Sequence, residues 1–410
     1  MIRKIYPLLI LYVLFIFPTS LFAMNIIKPF DIFLRPQVRK DKKIQIFAWA
    51  EAGLKSNGYD LCRNKVNVLR IWNRDQNALA MLNGCDPETP IGKLRARLGD
   101  DDRCRGHFCV DGELKPIGAT IAARYFFPYN ISLGIYIPVY SMKLDNVLWK
   151  NLTPLGDTVV RENLTNNFPA RVRELGCLDI CSWRRTGLGD ALLVGEWQGN
   201  FKQNKPMLKN VIIDARLGLS LPTGLKQDED KIFALAFGND GAWGIMFGGG
   251  LDLVWADYFR AGFDVELNHL FGNKKVRRIK TALDQTELLL LQKECAYKDY
   301  GLTQQFTLHA GIFKLLGGLT LDIGYRFTKH GDDSLRLETT CFSDKIANSA
   351  ESLKEWTSHQ LLVRTDYDFG YHMSEDATVI PTVSFFARVP FNGKRIALSP
   401  SFGAILTFDF

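Results

Sequence analysis

Charged side chains recur in this chain at every second position, opposite apolar ones. Phe259, Ala261, Phe263, Val265 and Leu267 alternate with Arg260, Gly262, Asp264, Glu266 and Asn268. Leu319, Leu321, Ile323, Tyr325 and Phe327 alternate with Thr320, Asp322, Gly324 and Arg326. The polar side of similar stretches carries Arg124, Glu196, Asp214, Arg216, Asp252, Arg364, Asp366, Asp368 and Arg388. Guanidiniums and carboxylates so arranged can do one of two things. They pair across a narrow space and hold it shut, or they line a water-filled path and select what passes. Both readings place them in an interior, because successive strand side chains point to opposite faces.

Other chemistry is weakly represented. One His-x-Ser pair, His372 and Ser374 in YHMSED, has the spacing found in outer-membrane lipid hydrolases, but it falls in a short turn at the wrong end for that reaction. Asp214 and Arg216 have the spacing of salt-bridge partners rather than an acid/base dyad. Gly248, Gly249 and Gly250 lie inside a strand, form no phosphate loop, and permit close packing at a tight part of the wall. No residue is assigned to catalysis or to a cofactor.

The eight cysteines fall in long connections: Cys62, Cys85, Cys104, Cys109, Cys177, Cys181, Cys295 and Cys341. If the chain is exported, an even number predicts disulfides, which stabilise long loops by roughly 2–4 kcal/mol each. The spacings of Cys104, His107 and Cys109, or of Cys177 and Cys181, do not match the usual zinc pairs, so no metal is expected.

These residues need strands to position them. Ile131, Leu133, Ile135, Ile137 and Val139 oppose Ser132, Gly134, Tyr136, Pro138 and Tyr140, and the preceding stretch Ile117 to Phe127 alternates likewise. A period of two sustained this far excludes a helical stripe. About twelve such strands (10–14) can be counted, including a less regular one at Ile44 to Leu54. Connections 55–115, 141–188, 222–242, 271–303 and 329–358 are long. Those at 128–130, 256–258, 314–318 and 370–377 are short, 199–210 is intermediate, and a short turn at 391–394 is the exception to the alternation. Thr158 to Val160 could open a further hairpin. Helical periodicity is confined to loops, at Thr281 to Glu294 and at Lys345 to Trp356.

Strands with apolar residues on one side and charges on the other need two solvents on the two sides of one sheet. The chain has 410 residues and a mean hydropathy of -0.05. After the amino terminus it lacks the long apolar run of a spanning helix. Composition therefore allows a soluble protein or a membrane barrel, and the alternation favours the barrel. Arg3 and Lys4, the apolar run Pro7 to Phe17, and Ala23 have the layout of a secretory signal peptide, the alternative being an uncleaved anchor. Its removal takes away two cations and no anions, lowering the formal charge from +7 to +5. That excess is no nucleic-acid footprint.

The last strand, Ser401 to Phe410, puts Phe402, Ala404, Leu406, Phe408 and Phe410 on one side. This ending resembles the C-terminal signature of bacterial outer-membrane barrels, which implies that Phe410 is read by the barrel assembly machinery. A second resemblance runs from Gly187-Leu188-Gly189-Asp190 to Leu221-Pro222-Thr223-Gly224. It is similar to the outer-membrane proteins of the meta-pathway of phenol degradation, relatives in architecture of long-chain fatty-acid transporters. That resemblance implies uptake of hydrophobic or aromatic compounds. The long Cys-bearing first and second loops depart from that family.

The expected architecture is all-β: a transmembrane antiparallel barrel in the bacterial outer membrane, with a polar lumen, long Cys-containing external loops and short periplasmic turns. Residues 1–23 form the signal peptide, 24–43 a periplasmic lead-in or lumen segment, and 44–410 the barrel. The expected partners are outer-membrane lipid, the assembly machinery and a small solute, with no nucleic acid and the oligomeric state open. The expected role is a channel or uptake protein; the alternative is a closed structural or surface-interaction barrel.

Overall fold

The structure, a computed structural model, describes residues 29–39, 42–99, 105–256, 258–315, 317–374 and 377–410. The signal peptide expected at residues 1–23, and residues 24–28 of the expected lead-in, lie outside them. Twelve strands close on themselves: β1 (Ile44–Gly53), β2 (His107–Phe127), β3 (Ile131–Asn151), β4 (Ala191–Lys202), β5 (Leu208–Leu221), β6 (Gly244–Trp255), β7 (Phe259–Leu270), β8 (Thr303–Leu315), β9 (Leu319–His330), β10 (Trp356–Asp368), β11 (Ile380–Lys394) and β12 (Ser401–Asp409). Each pairs antiparallel with its sequence neighbours, and β1 pairs with both β2 and β12, so no edge is left. Phe410 completes the seam: its N–H donates to Ile44 O at 2.8 Å, and Lys43 N–H donates to Phe410 O at 2.9 Å.

The wall has two unlike faces. Leu133 and Ile135 are 50% and 40% exposed on the outside, while Asp264 and Arg326 are 2% and 6% exposed on the inside. Ile117, Ile121, Leu217, Phe247, Phe263, Leu308, Ile323, Phe385, Phe402 and Leu406 extend the outer apolar surface around the ring. Exposed aromatics mark both margins of this belt. Tyr129, Trp197, Tyr258, Phe369 and Tyr371 lie at the end bearing the barrel's termini, and Trp243, Phe271 and Phe391 lie at the other.

Connections at the termini end are short and those at the opposite end are long, except residues 395–400 between β11 and β12. β2 and β3 run further toward the long-loop end than their alternation alone marks, so Cys109 sits within β2; Cys295 also lies in a strand, in the loop pair Asn273–Arg278 and Lys293–Asp299. The short turn expected at 391–394 is absent. β11 continues to Lys394, and Ile396–Leu398 then pairs with Asn57–Tyr59. Thr158–Val160 is one helical turn, not a hairpin.

The long loops fold into a cap with its own apolar core. Leu69, Leu79, Met81, Val160, Phe168, Ile180, Phe233, Phe237 and Leu289 pack together and onto the inward-facing Phe108, Val110, Tyr140, Met142 and Leu144 of β2 and β3. Because those strand residues face inward, the cap lies over the barrel mouth. Residues 281–292 form no helix; Leu288 to Leu291 are buried in an irregular segment. Their backbone is held by side chains of the first loop, with Glu287 N–H donating to Asn73 Oδ1 at 2.9 Å and Leu288 N–H to Gln76 Oε1 at 3.2 Å. The apparent period of this run reflects burial on several sides, which a helical stripe also mimics.

Seven of the cysteines, all but Cys104, which lies outside the described residues, are free thiols. The expected disulfides are therefore not formed among the described residues. The cap is held by other means. Its apolar core is one; buried ion pairs are another, such as Asp240 with Arg277 at 2.6 Å and with Lys275 at 2.7 Å. Cys62, Cys177, Cys181 and Cys341 lie exposed at its periphery.

Candidate functional site

The lumen holds the chain's own amino-terminal segment. Pro29 to Arg39 precedes β1, which starts at the termini end, and it runs up inside the barrel. At that end Arg39 pairs with Asp409 at 3.1 Å and also with Asp368, while Gln45 Nε2 donates to Gln37 O at 3.0 Å. Midway, Arg364 Nη1 donates to the carbonyls of Phe33 and Arg35, both at 2.9 Å, and Arg35 pairs with Glu196 at 2.7 Å. Higher up, Asp31 accepts from Arg326 at 2.8 and 2.5 Å and from Arg388 at 2.9 Å.

The wall charges form a continuing set of pairs around this segment. Arg216 bridges Asp214 and Asp264. Arg260 meets Asp322 at 2.9 Å, Arg364 meets Asp366 at 2.7 Å, and His309 contacts Asp252 at 2.5 Å. Arg388 reaches Glu51 at 3.2 Å, and Glu51 accepts from Ser401 Oγ at 2.5 Å. Glu266 is buried beside Asn268, whose amide donates to it at 2.8 Å. Gly248 and Gly250 make room for this network, since a Cβ at either would meet Arg216, Asp214 or Asp264. Such close pairing fits the physics of buried charge, which is tolerated where a partner and further hydrogen bonds replace water.

Aromatic and aliphatic side chains also face the lumen. Phe47 and Trp49 of β1, Tyr136 of β3, Phe386 of β11 and Ile405 of β12 pack around Phe30 and Leu34 of the segment. Phe30 meets Tyr136 edge-on at 5.3 Å. Arg124 touches both kinds of group: its guanidinium is 3.8 Å from Glu196 and lies over the rings of Phe47 and Phe126 at 5.8 and 5.6 Å. The lumen thus sets apolar side chains among its charges and is not polar throughout. The signal was present in IQIFAWAEAGL, where Phe47 and Trp49 share a parity with Gln45 and Glu51 and weaken the alternation.

Three cavities follow the segment. One of about 60 Å³ lies beside Pro29 and Phe30, under Gly238 and Asn239 of the cap. One of about 180 Å³ lies beside Ile32, Phe33 and Arg35, lined by Asp214, Asp252, Asp264, Asp322, Asp366, Arg260, Arg364 and His309. One of about 220 Å³ lies beside Pro36 to Arg39 near the termini end. His372 sits in the short turn Phe369–His372 at that end, and Ser374 just after it.

Two sequence segments singled out earlier clasp each other at the rim. Gly189 and Asp190 break the strand between Trp183–Leu188 and β4. Thr223 Oγ1 donates to Gly189 O at 3.1 Å, and Gly224 and Asn239 N–H donate to the Asp190 carboxylate at 2.7 and 2.5 Å. A side chain at position 189 would collide with the Tyr140 ring and Phe237 O, so only glycine allows this approach.

No protein-family model matches the chain, and no curated protein matches it. Among solved structures it is similar to an outer membrane channel from Pseudomonas putida F1, with 12% identity over 92% of this chain and 100% of that one and a TM-score of 0.48. It is also similar to the CymD monoaromatic hydrocarbon channel, with 11% identity over 90% and 89% of the chains and a TM-score of 0.34. A third is the P. putida toluene transporter TodX, with 8% identity over 91% of this chain and 90% of that one and a TM-score of 0.32.

Proposed function

We propose that this chain is an outer-membrane channel that admits small solutes through its lumen, with the amino-terminal segment as the constriction. The observation that carries this reading is the pairing of an apolar outer belt, bounded by aromatics, with a charged lumen in which cavities line up along a chain segment. An apolar belt on a closed barrel is stable in lipid because every backbone group is paired within the sheet. The long-loop end then faces outward, the short turns face the periplasm, and Phe410 stands at the periplasmic rim, where the assembly machinery would meet it.

The charged and the apolar parts of the lumen lining suit different cargo. Ions and water would follow the charged side, past Arg35 and the aspartates of the middle cavity. A small hydrophobic or aromatic solute, the class implied by the GLGD and LPTG segments, would follow Phe47, Trp49, Tyr136 and Phe386 once Phe30 withdraws. The test is conductance in planar bilayers of the full chain and of a variant lacking residues 29–39. Small or infrequent openings in the parent and larger ones in the deletion are expected. If neither conducts, the barrel is closed and its cap is a surface for other molecules.

A further inference from the structure

Resting on the outer-membrane reading, we propose that the wall formed by β2, β3 and Trp183–Leu188 carries a binding site for the phosphorylated headgroup of an outer-leaflet lipid. The register of these three strands places like residues side by side. Ala119, Val139 and Leu188 form an apolar row. The next row toward the long-loop end is Ile117, Ser141 and Thr186, with Ser141 Oγ and Thr186 Oγ1 2.8 Å apart. The row after that is Lys115, Lys143 and Arg184, all on the outer face. Their inward neighbours Leu114, Met142, Leu144 and Trp183 are buried under the cap, which fixes the direction of the cations.

The height is right for a headgroup. From Phe127 at the periplasmic margin to Ile117 the strand rises about 33 Å, or about 25 Å along the barrel axis at a tilt of roughly 40°, the usual thickness of the apolar band. The hydroxyl row therefore lies at the outer interface and the cationic row just beyond it. Three cations directly opposite one another on adjacent strands repel unless an anion lies between them. Glu113 pairs with Lys115 at 2.9 Å and with Lys55 at 2.8 Å, and Asp145 pairs with Lys143 at 2.7 Å. Both carboxylates stand one row farther from the membrane, so cations are the first charges met from the lipid side. Arg184 has no carboxylate partner among the described residues. Its guanidinium is free to take a phosphate with two parallel hydrogen bonds.

The experiment titrates the folded full-length protein in neutral detergent with lipid A, which bears two phosphates. It reads the temperature at which the folded electrophoretic form is lost. Lipid A is expected to raise that temperature, monophosphoryl lipid A to do so less, and phosphatidylcholine or inorganic phosphate not at all. The variant Lys115→Gln, Lys143→Gln, Arg184→Gln should need about tenfold or more lipid A for half the effect, given the strength of charge-assisted bonds. Should that variant fail to fold, Arg184→Gln alone, which breaks no ion pair, should shift the titration in the same direction. An unchanged titration in a folded variant overturns the site, as does an equal response to inorganic phosphate. Flotation with phosphatidylcholine vesicles is run alongside. A parent chain that does not insert overturns the membrane reading itself, whereas insertion without a lipid A response overturns only the site.

Discussion

Replacing Asp31 by Asn should loosen the amino-terminal segment without altering the wall. The carboxylate accepts three hydrogen bonds from two guanidiniums, from Arg326 at 2.8 and 2.5 Å and from Arg388 at 2.9 Å, and a fourth from Phe33 N–H at 3.0 Å. Arg388 would keep Glu51, while Arg326 would lose its direct ion pair and keep a 3.3 Å bond to Thr307 and the more distant carboxylates of Glu266 and Asp264. Breaking a buried ion pair by removing one partner destabilises by about 3–5 kcal/mol. The state with the segment withdrawn also lacks these bonds, but water entering the lumen solvates both arginines there. Taking the low end, about 3 kcal/mol shifts the balance toward withdrawal by about a hundredfold. Single-channel recording at fixed voltage reads this directly. The fraction of time spent in the open state should rise about a hundredfold, while the conductance of each opening stays the same because the emptied lumen is the same. Arg35→Gln should have a smaller effect, since Glu196 keeps Arg124 nearby. A folded Asp31→Asn barrel with the parent's open fraction would refute the role given to the segment.

The middle cavity is lined by five aspartates and three arginines, so the open channel should prefer cations; the reversal potential in a salt gradient reports this, and Asp252→Asn should weaken the preference. In the cap, burial works against the charge of Asp333, but Lys298 and His330 outweigh it and hold the carboxyl down at about 2. A carboxylate depressed in the folded state stabilises above its unfolded value and loses that contribution as pH falls through the folded one. The loop around Asp333 should therefore weaken by about 2 kcal/mol between roughly pH 4 and pH 2. His330 stacks on Trp356 at 5.3 Å, so Trp356 fluorescence should report the change, and Asp333→Asn should abolish it. The thiols should react with a maleimide without prior reduction. Cys62, Cys177, Cys181 and Cys341 should label fastest, and Cys85, whose thiol burial pushes up, more slowly. A protein that labels only after reduction would restore the disulfides.

The wall was legible because a strand's two faces are a local property. Ile131 to Val139 declares its outward side without reference to any other residue, and the loop-length alternation gives the direction of the chain. The lumen segment was not legible in the same way. PFDIFLRPQV has neither a period of two nor a helical stripe, and its position is fixed by partners far along the chain, Asp31 with Arg326 and Arg35 with Glu196. The cap failed for a related reason. Its core joins four loops, so a run such as Leu288 to Leu291 is apolar because several distant segments surround it, and a helical reading of that run has no physical basis. The even number of cysteines pointed to covalent ties, whereas the described thiols are free and the cap packs through apolar contacts and ion pairs.

The width of the barrel explains why the lumen needs a segment at all. Eight strands leave an interior that side chains alone can fill, and twelve leave more. Arginines and aspartates on opposite walls of a wider ring would be separated by water and could not all find partners. Pro29 to Arg39 brings a second set of groups into that gap: Asp31 for Arg326 and Arg388, Arg35 for Glu196, and the carbonyls of Phe33 and Arg35 for Arg364. It also brings Phe30 and Leu34 to the aromatic wall. A filler anchored to the wall through its own side chains, and tethered at one end to β1, can leave without breaking the sheet. Side chains of the wall cannot. On the proposed channel reading, opening would break these ion pairs and apolar contacts while leaving the barrel intact.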